Sequence, residues 1–324
     1  MSNDTNEIES QPNPAGPSQE NRTASPASTG GAGTFFEQNV GAYWLAQLLV
    51  GGIPPILIDC SVAEVHFQTE HLGWHTDDFL VVGQSGPGKL RKLAGQVKRT
   101  FTVSAIDEDC KNTVQDFWRD FKSPDRFSPL SDRLAVVTQR GTNTLLEHFS
   151  GLLDCSRAAN DGGDFEHRLA TAGFISAKAV HYCEEIRTIV GEVEQRAVSA
   201  AELWPFLRVL HVLSLDLGSA TRQTEATIKS LLAHTTTAPD PIDAATNSWN
   251  ALLAVVDDTK PDCGDDAGGN QQSPVLPLPV HAYSVGEQKA KCQAHRNYPT
   301  TAGTSAARKF VAQWGARQKP VLTK

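Results

Sequence analysis

The chain has 324 residues, 37 acidic and 29 basic side chains, and a formal net charge of −8, a balance that does not advertise nucleic-acid binding overall. No apolar run approaches the ~20 residues of a membrane-spanning helix, and the first residues, MSNDTNEIESQPNP, lack the basic-then-apolar pattern of a signal peptide. Six cysteines without a CxxC pair argue against a zinc ribbon and a disulfide framework, so a cytoplasmic setting is expected.

Residues 1–32 are rich in Ser, Pro, Asn, Gly and Glu without apolar periodicity, which predicts a disordered leader. From Thr34 to Val50, Phe36, Val40, Tyr43, Trp44 and Leu48 recur at helical spacing until Gly51-Gly52 and Pro54-Pro55 stop them. Ile56 to Gln68 reads as a strand, with Glu64 and His66 as surface positions. His71 and His75 bracket a loop and lack the further ligands that a zinc site needs.

Asp77-Asp78 then opens Phe79-Leu80-Val81-Val82, a glycine-rich turn follows from Gly83 to Gly88, and Lys89 to Arg99 returns as a neighbouring strand. Thr100 to Ile106 is its exit. Asp107 to Phe121 is helical, with Val114, Phe117, Trp118 and Phe121 on one face; Arg133 to Gln139 is a β-like run, and Thr142 to Ala158 is the next helix. This order suits an α/β domain over 33–160, a mixed central sheet flanked by helices. Long helical periodicities between 161 and 256 predict an all-helical extension, with Trp204 and Trp249 in its core. Residues 257–279 read as an acidic linker, and a basic tail of unassigned structure runs to Lys324.

The chemistry concentrates in the hairpin. Side chains two apart on a strand share a face, so Gln96 and Lys98 project together while Val97 turns to the core. Asp77 and Asp78 at the head of the adjacent strand could hold Mg²⁺ (or Mn²⁺) with the Gln96 oxygen, since magnesium takes few protein oxygens and keeps several waters. Lys98 beside the metal could orient or deprotonate a water, which makes phosphodiester hydrolysis the expected reaction. Lys89, Arg91, Lys92 and Arg99 flank that strand as the best basic patch for DNA phosphates. Gly83-x4-Gly88-Lys89 looks like a Walker A loop, but Leu90 stands where Ser or Thr should reach magnesium, so a nucleotide site is rejected.

Asp78 followed by Gln96-x-Lys98 resembles the D…(D/E/Q)xK signature of PD-(D/E)xK nucleases in the Gln-x-Lys form of Mrr-like enzymes. Gly31-Ala32-Gly33-x-x-Phe36-Glu37, Val40-Gly41-Ala42-Tyr43, Asp77-Asp78, Gln96-Val97-Lys98 and Trp118 also resemble the N-terminal double-strand-DNA nuclease domains of bacterial antiphage NTPases. The resemblance implies a restriction-endonuclease-like core and catalytic roles for Asp78, Gln96, Lys98 and Glu37. It implies Mg²⁺, double-stranded DNA, an NTPase or sensor partner and a homo-oligomer. The function expected is a metal-dependent DNA endonuclease in antiphage defence. Gln96, where an acid is commoner, opens the alternative of an inactive nuclease-like module that binds DNA or a protein partner.

Overall fold

A computed structural model of the chain describes residues 26–219 and 221–257. Its centre is one sheet of β1 (Ser61–Phe67), β2 (Phe79–Gly86), β3 (Lys89–Val97), β4 (Arg133–Thr138) and β5 (Leu210–Ser214), in that spatial order. β1, β2 and β3 run antiparallel as a meander, and β3, β4 and β5 run parallel. The mixed sheet expected from the sequence is present. The β2–β3 turn is tight because Gly88 takes φ +72°, a conformation that side chains disfavour.

Strand alternation divides the core into two layers. Phe79, Val81, Leu93, Ala135 and Val137 lie under the apolar faces of α1 (Pro26–Val50), α7 (Gln223–His234) and α8 (Pro241–Asp257), which contribute Phe36, Trp44, Ile228 and Trp249. Leu80, Ala94, Leu134, Val136 and Leu210 face the opposite way, toward α2 (Glu108–Phe121), α3 (Ser150–Ala158), α4 (Gly162–Ala170), α5 (Ala177–Glu194) and α6 (Ala200–Val209). A Cβ on Gly95 would lie 2.2 Å from the Phe79 ring, so glycine there lets that ring lie flat across β3 under Trp44.

Local chemistry sets the helix starts. The Asp107 side chain accepts the Cys110 N–H at the head of α2, where Glu108 and Asp109 also suit the positive end of the helix dipole. Ser199 and Glu202 form a reciprocal capping box on α6.

Three expectations are corrected. α1 begins at Pro26, so residues 26–32 belong to a helix and not to a disordered leader; proline suits a first helical position because its missing N–H has no partner to lose. The leader's residues 1–25 lie outside the described residues. The all-helical extension contains a strand: β5 follows α6 directly and pairs with β4, so the chain beyond 160 completes the sheet. The boundary near residue 160 falls accordingly, since α7 and α8 also pack on α1. Residues 258–324, nearly all of the expected linker and the basic tail, lie outside the described residues. Among the described residues no helix is long and apolar enough to cross a membrane.

Candidate metal centre beside Asp78

The short segment before β2 is held from both sides. The buried Asp120 carboxylate of α2 accepts the His75 N–H at 2.9 Å and the Thr76 N–H at 2.7 Å, and Thr69 N–H donates to the Asp77 carbonyl at 2.8 Å. The following acids are therefore presented by a pinned backbone. Asp77 turns toward α2, where its Oδ1 accepts Gln96 Nε2 at 2.9 Å. Asp78 turns toward α1 and its Oδ2 accepts the Val97 N–H at 2.5 Å.

A cleft of about 20 Å³ opens beside Asp78, lined by Glu37 and Gly41 of α1, Phe67, Gln68 and Val97. That is space for about one water-sized particle, which needs roughly 10–15 Å³. Burial, with the neighbouring charges of Asp77 and Glu37, pushes the Asp78 carboxyl up to about 7 against the pull of the Val97 amide and Lys98. Two carboxylate-bearing residues, Asp78 and Glu37, line this hollow, and carboxylate oxygens are among the ligands that Mg²⁺ and Mn²⁺ take. Among the described residues no group of three His, Cys, Asp or Glu side chains is placed to hold a metal.

Glu37, Asp77, Asp78, Gln96 and Lys98 thus gather at one corner of the sheet, but they do not share one point. The buried Gln96 spends its amide on Asp77 and its oxygen on Thr113 Oγ1, 3.4 Å away, so it positions Asp77 and is turned away from the cleft. Lys98 Nζ pairs with Asp109 of α2 at 3.0 Å. Asp109, Thr113 and Asp120 were not anticipated as parts of this corner; the sequence signal available was their spacing along one amphipathic helix.

Three of the four cations of the expected DNA-binding strip have local partners in the fold. β3 ends at Val97, so at ~3.3 Å per residue Lys89 lies about 26 Å along the strand from Val97, and Arg99 lies beyond that end. Between them Arg91 pairs with Asp59 at 2.8 Å, while Lys92 donates to the Arg126 carbonyl and lies over the Trp74 ring. Arg99 Nε reaches Gln139 at 3.3 Å. Alternation puts Lys89 and Arg91 on one face of β3 and Lys92 on the other. Glu64 and His66 pair with each other at 3.1 Å, and Trp118 is a buried core residue bonded to Glu194.

No family model and no curated protein matches the chain. Among solved structures it is similar to a Cap4 SAVED/CARF-domain receptor of Acinetobacter baumannii with the cyclic trinucleotide 3'3'3'-cAAA, at 11% identity and TM-score 0.39, over 69% of this chain and 40% of that one. A Cap4 SAVED/CARF-domain receptor of Moraxella osloensis is similar at 13% identity and TM-score 0.36, over 70% and 43%. The chain spans about two-fifths of their length. Both are described as receptors and neither as a nuclease, so the expected function of a DNA endonuclease in antiphage defence is corrected and is not assigned to this chain. A likeness of this degree carries no ligand or activity over to it.

Proposed function

We propose that the chain is a ligand-binding protein whose Asp78 cleft takes a divalent cation, Mg²⁺ or Mn²⁺, and that the cation together with Lys98 receives a phosphate group of the ligand. The observation that carries this proposal is the Asp78 carboxyl held near 7 in an ion-sized hollow beside Glu37. Clustered like charges in a desolvated corner favour whatever neutralises them, and a divalent ion does so more completely than one proton. An acid on α1, an acid pair heading β2 and Gln-x-Lys ending β3 also support a PD-(D/E)xK-type scaffold.

Each side chain has a part in this proposal. Asp78 and Glu37 supply charge to the cation, Val97 N–H orients Asp78, and Gln96 steadies Asp77. Lys98 rests on Asp109, whose side chain is 72% exposed; a solvated ion pair of this sort is weak, so a phosphate oxygen can displace it. When bound, the cation would polarise phosphate oxygens.

Calorimetric titration of the full chain with Mn²⁺ tests the proposal. Wild-type protein should bind one ion, and Asp78→Asn should lose at least tenfold in affinity. Equal binding by the two proteins, or none by either, would remove the proposed function.

A further inference from the structure

A second hollow lies at the carboxyl ends of the parallel strands, apart from the Asp78 cleft. It measures about 530 Å³, within the roughly 300–1,000 Å³ of small-molecule sites. Gln139 and Arg140 enter it from the end of β4, Asp216 from the end of β5, Tyr43 and Gln47 from α1, and the first turns of α7 close it. In sheets with parallel strands, this edge is where ligands collect.

Its chemistry narrows the ligand. Helix N-termini generally attract phosphates, but the amides of Gln223 and Thr224 at the head of α7 already donate to Asp216, which also accepts the Thr221 and Thr224 hydroxyls. Burial opposes the Asp216 charge, and these bonds overcome it, holding the carboxyl down at about 2. A fixed negative charge therefore occupies the place a phosphate would need. What remains carries one positive charge, Arg140, against the negative one of Asp216, together with a polar edge: Gln223 carries an amide, and Tyr43 accepts Gln47 Nε2 at 3.1 Å and so keeps its own hydroxyl proton to donate, while the Gln139 amide is spent on the Leu217 carbonyl and on Arg99. Leu215, Ile228 and Leu231 supply an apolar floor.

We infer that this groove binds an uncharged heterocycle of nucleoside size, its ring lying on the apolar floor and its donor and acceptor edge met by the Gln223 amide, the Arg140 guanidinium and the Tyr43 hydroxyl. Primary amides match both kinds of polar edge group on a planar base. This inference is independent of the cation proposal.

The test is titration of the full chain with adenosine, guanosine, cytidine and uridine, followed by calorimetry and by amide chemical shifts. At least one nucleoside should bind with a dissociation constant below about 1 mM, a modest free energy for a ligand of this size. Shifts should concentrate at Gln139–Arg140 and across Gln223–Leu231. Thr227→Trp, which fills the groove from the exposed side of α7, should weaken binding at least tenfold. The shift map carries the test if the tryptophan variant fails to fold. No binding by any of the four at millimolar concentration, or shifts confined to the Glu37–Gly41 side, would overturn the inference.

Discussion

Asp78 accepts the backbone N–H of Val97 at 2.5 Å, fastening the head of β2 to the end of β3, and in doing so it faces a cleft with Glu37. One bond is insufficient to keep this carboxyl in its ordinary range, and the first prediction follows from that.

Asp78 titrates near 7 in the folded chain against an ordinary value of 3.8. The folded state therefore binds the proton more tightly than the unfolded state. The stability this contributes is fully present below about pH 4 and is lost as pH rises through 7. Urea unfolding in EDTA between pH 4 and 8 should show this decline in wild-type protein and a flatter profile in Asp78→Asn. Identical profiles would discount Asp78 as its source.

The same proton competes with a metal. Mn²⁺ affinity should fall with each unit of acidification below pH 7, by about tenfold if Asp78 alone must be deprotonated. Glu37→Gln should weaken binding about tenfold without abolishing the pH dependence. Calorimetry at pH 5.5, 6.5 and 7.5 measures both effects, and a flat pH profile contradicts ligation by Asp78.

Asp120 is buried, and its two oxygens hold the amides of His75 and Thr76. Hydrogen bonds to a charged group are worth about 1.5–3 kcal/mol each, so Asp120→Ala should destabilise the protein by roughly 2–4 kcal/mol. It should also weaken Mn²⁺ binding through looser presentation of Asp78, although Asp120 does not line the cleft. Chemical denaturation and the metal titration together check this, and a stable variant with normal affinity would refute it.

Gly95→Ala would set a methyl 2.2 Å from the Phe79 ring and 2.9 Å from the Ala135 carbonyl oxygen. Relief requires Phe79 to leave its place under Trp44, an overpacking effect of about 1–3 kcal/mol. The loss is read as a lower urea midpoint. An unchanged midpoint would show that the ring has an alternative seat.

A fragment ending at residue 160 should not unfold cooperatively, because it lacks β5 and the α7–α8 cover of the Phe79 face. A sharp thermal transition with native-like circular dichroism in residues 26–160 would contradict this.

The hairpin, α2 and β4 were legible because each is a short apolar pattern with clear punctuation: Gly88 in the turn, Asp107 at the cap, and a β-branched pair at Val136-Val137. β5 was not. Leu210-His-Val-Leu-Ser continues the largely apolar run of Phe206 to Val209 with no Gly or Pro after Pro205, so its strand character comes only from pairing with β4. At the corner, the neighbourhood of Asp78, Gln96 and Lys98 was legible from spacing. Their separate partners were not, because Asp77, Thr113 and Asp109 compete for the same groups from another element. On the basic strip, Lys89 and Arg91 share a face of β3 and Lys92 takes the other, because side chains alternate along a strand.

Glu37 and Tyr43 stand six residues apart on α1, about 9 Å along its axis, and they wall the small hollow and the large one respectively. A continuous helical rod has no joint over that distance, so any tilt that widens one chamber must shift the boundary of its neighbour. Occupants of the two chambers would then sense one another through a shared partition, and by thermodynamic reciprocity each would alter the other's affinity by the same factor.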